Sequence, residues 1–234
     1  LLAFLTGLLA SSYGLRPAPF YLGVIVAVLG LLISFTVKET HKSITPLQLR
    51  WVNGVGLPSL LGLMTNLKDG LVWLSLPLLL SARGFSPAEI GSVAGFYPLI
   101  WVSGQLVFGP LSDRVGRQVL ILVGVALQGV GLIMMAVSSQ IALAFLAAFL
   151  LGLGTSMAYP TLIAQVADKA PPQQRASALG LYRFFRDGGY VLGAGLVSLG
   201  LVNLSGVLLW AGFCFLIVAG GVSISAVMRV ERSR

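Results

Sequence analysis

Charge is the first thing this chain of 234 residues lacks: only 9% of its positions are Asp, Glu, Lys or Arg, seven of them acidic, against 57% hydrophobic residues. Such a chain cannot be wrapped as a soluble globule without leaving large apolar patches in water. It also has one cysteine, Cys214, and one histidine, His41. A lone cysteine excludes an intrachain disulfide and a cysteine metal site, and leaves the redox compartment open. No nucleophile–base pair, metal-ligand cluster or phosphate-binding loop stands anywhere in the chain, so no enzyme, metal or cofactor is expected. The net charge of +8 raises nucleic acid as a partner, but that reading needs basic residues clustered with aromatics on one wet surface. Here the basic residues fall in short loops, which points to membrane topology and excludes nucleic acid.

What is present is a series of long apolar runs, at about 1–12, 18–37, 58–81, 87–109, 119–138, 141–166, 178–202 and 205–228. Runs of about 20 residues match the bilayer core as helices, and the strict alternation of barrel strands is missing. The chain therefore reads as an all-α polytopic membrane bundle with seven full spans and one stub. The stub, LLAFLTGLLASS, has no initiator Met and no basic n-region, so a helix cut short at Leu1 is expected rather than a signal peptide. If the spans alternate sides, one side receives Lys38, Lys42, Arg50, Arg114, Arg117, Lys169, Arg175, Arg229, Arg232 and Arg234, the other only Arg16 and Arg83. That bias places the Asp113 loop, the 38–57 connection and the C-terminus in the cytoplasm. The connection is the one plausible linker, and His41 within it is a solvated loop residue, since no second metal ligand is near.

Polar residues inside spans are costly, about 2.5–3.5 kcal/mol per ionisable group at mid-bilayer, so their distribution carries information. In the third segment Asn66, Asp69 and Trp73 are spaced i, i+3, i+7 and share a face, with Pro77 a turn beyond. Lys68 is rotated about 100° from Asp69, which argues against their pairing and for a Lys68 that pairs elsewhere or snorkels. Asp69 then stands as a deep carboxylate without an obvious partner. Such a group is costly to keep charged, which is what a proton-coupled step exploits. Tyr97, Trp101 and Gln105 repeat at i, i+4, i+8 in the fourth segment, and Thr155 and Tyr159 align in the sixth before Pro160. These stripes read as helix-packing surface or as cavity wall. In the seventh segment Arg183 and Asp187 form an i, i+4 pair, with Arg186 pointing away. Gly189 and Gly193 have the small-xxx-small spacing of close helix contacts. The segments at 18–37, 119–138 and 205–228 carry no central charge and are expected to face lipid. Plain and striped spans thus alternate with a period of three, like the three-helix repeats of secondary transporters.

Between the fourth and fifth runs lies Gly109-Pro-Leu111-Ser-Asp113-Arg114-Val-Gly116-Arg117. It resembles the Gly-x-Leu-Ala/Ser-Asp-Arg/Lys-x-Gly-Arg/Lys loop of the major facilitator superfamily, with Gln118 where a further basic residue commonly follows. The resemblance implies that 58–228 are helices seven to twelve, a C-terminal six-helix bundle of two three-helix inverted repeats. It implies that 1–37 are the end of helix five and helix six, and 38–57 the cytoplasmic linker between bundles. Asn66-Leu-Lys-Asp69-Gly70 with Trp73 and Pro77, and Tyr159-Pro160 followed by APPQQRASALGLYRFFRD, resemble the efflux-type, drug–proton antiporter-like branch. The implied arrangement surrounds a cavity with helices seven, eight, ten and eleven, the striped ones. In the gating loop, Gly109 and Pro110 are expected to end a helix, Asp113 to accept backbone hydrogen bonds at the next helix start, and Gly116 to permit a tight turn, with Asp113 paired to Arg117.

The resulting expectation is a secondary active transporter in a bacterial-type cytoplasmic membrane, present as a partial chain. It exports small organic or drug-like molecules by alternating access with proton antiport. Asp69 is the candidate for proton or substrate coupling, and Asn66, Trp73, Tyr97, Trp101, Gln105 and Tyr159 for the cavity. Its expected partners are the substrate, protons, the lipid bilayer and a missing N-terminal half. The rivals are a non-transporting sensor or assembly protein on the same scaffold, and an inactive truncated fragment.

Overall fold

A computed structural model describes residues 2–14, 17–36, 52–199 and 203–232. Arg16, and residues 38–51 of the expected linker with Lys38, His41, Lys42 and Arg50, lie outside the described residues. The described chain is a bundle of α-helices: α1 (Leu2–Tyr13), α2 (Ala18–Ser34), α3 (Val52–Ala82), α4 (Pro87–Val115), α5 (Arg117–Val137), α6 (Ile141–Lys169), α7 (Arg175–Leu199) and α8 (Leu204–Arg232). No strand occurs among the described residues.

Local chemistry explains where several helices begin and end. Ser86 and Glu89 form a reciprocal capping box at the head of α4, with Pro87 in its first turn. Gly84 and Gly116 turn the chain with positive φ, 84° and 98°, a conformation that a side chain would strain. α3 starts at Val52, six residues before the expected boundary at 58, and carries Pro58 and Pro77 inside the helix. α4 likewise does not stop at Gly109 and Pro110 but runs through them to Val115. A proline inside a membrane helix is tolerated when neighbouring helices satisfy the freed carbonyls.

Among the described residues, α4, α5, α6 and α8, the last over Leu204–Ser223, are long and apolar enough to cross a membrane. α3 and α7 are long too, at 31 and 25 residues, but carry charges at mid-length. The main packing pairs are α3 with α7, α4 with α6, α5 with α6 and α5 with α8. Exchanging α3 for α6 and α4 for α7 maps the first pair onto the second, the correspondence that two three-helix repeats require. Glycines permit the closest contacts. A Cβ on Gly189 or Gly193 would collide with the Leu63 or Leu67 carbonyl of α3, and one on Gly124 would stand 2.6 Å from the Gly154 carbonyl of α6.

One expected environment is corrected. α5 was expected to face lipid, yet Gly124, Val125, Gln128, Leu132 and Met135 are buried between α6 and α8. Lipid and protein interior are equally apolar, so an apolar helix does not reveal which of them it meets. α2, by contrast, is exposed along nearly its whole length.

Candidate functional site: two charged clusters joined by aromatic rings

The four striped helices bring their polar residues together. Lys68 and Asp69 of α3 are 0% and 2% exposed, Tyr97 of α4 1%, and Thr155 of α6 1%. Gly152, three residues before Thr155, lets α6 approach the Tyr97 backbone, since a Cβ there would stand 2.7 Å from the Tyr97 carbonyl. The Lys68 ammonium donates to Asp69 Oδ1, to the Tyr97 hydroxyl at 2.6 Å and to Thr155 Oγ1 at 2.8 Å, using its three protons. Tyr97 also donates to Asp69 Oδ1, and Thr155 to the Leu151 carbonyl. Lys68 does pair with other helices, as expected, through Tyr97 and Thr155, but it also bonds adjacent Asp69, which the 100° offset argued against. The 100° offset separates their Cα–Cβ directions, but a four-carbon stem is long enough to swing the ammonium back. Burial leaves that ammonium no solvent alternative.

A second cluster is built on α7. Arg186 donates through Nε and Nη2 to Asp187 Oδ1 at 2.8 and 2.6 Å, and through Nη1 to the Tyr159 hydroxyl of α6 at 3.1 Å. Asn66 of α3 adds Nδ2 to the same Asp187 oxygen at 3.2 Å. The Arg183–Asp187 pair expected from spacing is not formed. Asp187 is taken by Arg186, because that side chain can reach both its neighbour and the Tyr159 hydroxyl, whereas an i, i+4 pair gains only a few tenths of a kcal/mol.

Aromatic rings connect the clusters. Trp73 stands 5.7 Å from Tyr97, Tyr97 stacks on Trp101 at 6.3 Å, and Trp101 meets Tyr159 edge-on at 5.6 Å. Such spacings are those of favourable aromatic pairs. Lys68 lies 4.8 Å from the Tyr97 ring centre and Arg186 5.3 Å from that of Tyr159, within cation–π range. The candidate residues Asn66, Asp69, Trp73, Tyr97, Trp101 and Tyr159 are thus gathered on α3, α4 and α6. Gln105, one turn beyond Trp101, is partly buried. Lys68, Thr155, Arg186 and Tyr190 complete the constellation and were not among the expected site residues. Tyr190 is within electrostatic reach of Asp69, Arg186, Asp187 and Tyr159, and its position three and four residues after Asp187 and Arg186 was the available signal. Among the described residues no group of three His, Cys, Asp or Glu side chains is placed to hold a metal.

A sizeable apolar cavity lies elsewhere. About 630 Å³ opens between α3, α7 and α8, lined by Met64, Leu67, Leu196, Trp210, Cys214 and Phe215. It arises because α8 packs far less on α3 than α5 does on α6, its counterpart under the repeat.

At the opposite end of the helices from the α3–α4 turn, Arg117 bonds Asp113 at 3.2 Å and Asp168 of α6 at 2.9 Å. The expected Asp113–Arg117 pair is present, as is the turn at Gly116, and Arg114 is exposed. Two expectations for this stretch fail. Gly109 lies within α4, and the start of α5 has no side-chain cap, because Asp113 is on the last turn of α4 and its carboxylate turns to Arg117. Arg83, beyond the end of α3, does more than the topological charge that the sequence suggests. Its guanidinium bonds the carbonyls of Met135 at 3.2 Å, Ala136 at 2.5 Å and Ser138, plus Ser138 Oγ at 2.8 Å, closing the C-terminus of α5. Partial burial holds its pKa below the ordinary guanidinium value.

Over 127 residues, 54% of this chain and 33% of the relative, the sequence is 27% identical to the Quinolone resistance protein NorA of Staphylococcus aureus. Over 123 residues, 51% of this chain and 27% of the relative, it is 33% identical to the Inner membrane transport protein YajR of Escherichia coli. Each match thus covers about a third or less of the relative's length. Residues 58–234, which hold both clusters and the Asp113–Arg117 turn, match the Major Facilitator Superfamily, and the chain belongs to that family of integral membrane transporters.

Proposed function

We propose that the chain forms one wall of a secondary active transporter that exports small organic molecules by alternating access, driven by proton antiport. The observation that carries this reading is the buried Lys68–Asp69 ion pair with the Tyr97 hydroxyl on the same carboxylate oxygen. A buried ion pair is not retained for stability, since a well-packed apolar pair does as well or better. A carboxylate that can exchange its lysine for a proton, by contrast, gives a bundle two states of different charge. Asp69 is the coupling group, Lys68 its internal counter-ion, and the rings from Trp73 to Tyr159 the surface against which a flat substrate packs. Similarity to a protein named for quinolone resistance supports small organic molecules as cargo. The facing wall belongs to another bundle, the N-terminal one expected of the family. Positive-inside bias assigns the Arg117 end to the cytoplasm of a bacterial-type membrane.

Asp69→Asn alone strands a buried ammonium, so the informative variant is Lys68→Met with Asp69→Asn. In proteoliposomes of the full-length protein with an imposed pH gradient, the double variant should insert and melt like wild type yet lose proton-driven flux. Undiminished coupling would remove Asp69 from the mechanism. A non-transporting scaffold is the rival, favoured by how tightly the four groups are packed. It predicts no substrate-dependent proton movement in the wild type.

A further inference from the structure

The pairing of Asp187 with Arg186 leaves Arg183 without an ion partner among the described residues. Arg183 lies eight residues into α7, about 12 Å from the helix start at 1.5 Å per residue. Arg183 is exposed there, and an arginine turned toward lipid at such a depth is costly unless something meets its charge. Spacing of i, i+4, i+7 puts Arg183, Asp187 and Tyr190 on one face of α7, and Ile163 follows Tyr159 by four residues on α6. Arg183 and Ile163 therefore continue the Arg186–Tyr159 contact toward the Arg117 end. There they border a cavity of about 280 Å³ whose remaining lining is Ala176, Leu179, Gly180 and Tyr182. The lining is apolar apart from Arg183 and the Tyr182 ring. Lys169 and Arg175, at the adjoining ends of α6 and α7, add positive charge, and the nearby Asp168 is engaged by Arg117.

We propose that this cavity is a binding site for an organic anion, an apolar ring body seated between α6 and α7 with its carboxylate on Arg183. The guanidinium offers a carboxylate two parallel N–H donors, and Leu179, Gly180 and Ile163 offer the ring a surface without competing polar groups. The site deepens the transport reading and rests on it, since it names the cargo class as carboxylate-bearing and places its first contact one turn from the Asp187 cluster. The nearby carboxylates, Asp168 and Asp187, are held by Arg117 and Arg186, which leaves Arg183 as the unanswered charge on that face among the described residues.

The test is equilibrium binding to the full-length protein in phosphatidylcholine nanodiscs, with no gradient applied. The probes are 2-naphthoate and its neutral analogue 2-naphthamide. Arg183→Gln should weaken naphthoate about tenfold or more, the worth of a charge-assisted hydrogen-bonded pair, and leave naphthamide within about twofold. Arg183→Lys should recover part of the loss. Equal binding of naphthoate to wild type and Arg183→Gln overturns the site, as does equal weakening of both probes. Replacing part of the lipid by phosphatidylglycerol separates the other source of an anion: displacement of naphthoate that disappears in Arg183→Gln assigns the arginine to a lipid headgroup and overturns the cargo assignment. Because no proton gradient enters, failure here leaves the Asp69 coupling experiment standing, and failure of coupling leaves this result intact.

Discussion

Two charged regions of the molecule stand in contrast. The stretch that reveals the family, Gly109 to Arg117, ends in an exposed ion-pair pair: Asp113 and Asp168 are 67% and 58% exposed on either side of Arg117. The α3–α4–α6 cluster carries no such signature, yet its ion pair and both hydroxyls are almost wholly buried. Exposed pairs in water are worth about 0–1 kcal/mol, while breaking a buried one costs about 3–5 kcal/mol. The recognisable motif and the energetically committed site are therefore different places, and mutation should separate them.

The largest effect is expected from Asp69→Ala alone, which leaves Lys68 charged and unpaired in the core. It should destabilise the full-length protein by about 3–5 kcal/mol, seen as a clear fall in Tm in detergent. Lys68→Met with Asp69→Asn should recover most of that loss, since neither residue is then an uncompensated charge. If the single and double variants melt alike, the pair is not coupled and the contrast with the surface pairs collapses.

Arg83→Met comes next. It removes the donors that satisfy the carbonyls of Met135, Ala136 and Ser138. A loss of about 1–3 kcal/mol is expected, and hydrogen exchange should rise at the end of α5 before anywhere in α3. Tyr97→Phe keeps the ring between Trp73 and Trp101 but deletes the hydroxyl shared by Asp69, Lys68 and Thr155. Its cost should also be about 1–3 kcal/mol, with proton-driven flux reduced more than substrate binding. Equal losses in the two assays would reduce Tyr97 to a packing residue.

Much of the architecture was legible because apolar runs report helices and polar stripes report the faces that meet. Asn66, Asp69, Tyr97, Trp101 and Tyr159 stand out in the sequence by periodicity and resemblance and the fold brings them together, as it does the Gly189–Gly193 contact read from its spacing. What failed was partner choice. Helical angle keeps Lys68 from Asp69 and Arg183 near Asp187, but side-chain reach and burial decide otherwise, and both depend on α6, a helix distant in sequence. Arg83 was missed for the same reason, as its acceptors lie more than fifty residues away. The plain helices misled in another way: α5 and α2 look alike in composition, yet one is packed into protein and the other exposed.

The smallest effect on stability belongs to the motif that named the scaffold. Arg117→Gln breaks the bonds to Asp113 and Asp168 at once, but exposed carboxylates regain water when released, so the loss should stay within about 1 kcal/mol. Sensitivity to salt gives the sharper test. Wild type should lose that increment between low and high ionic strength, as surface charges are screened over about 10 Å at 0.1 M salt, and the variant should show no salt dependence of its own. The buried Lys68–Asp69 pair should be indifferent to the same titration. A large, salt-independent loss in Arg117→Gln would mean that the half-buried guanidinium, with Nη1 enclosed and unbonded, holds the ends of α4 and α6 together as packing rather than as charge.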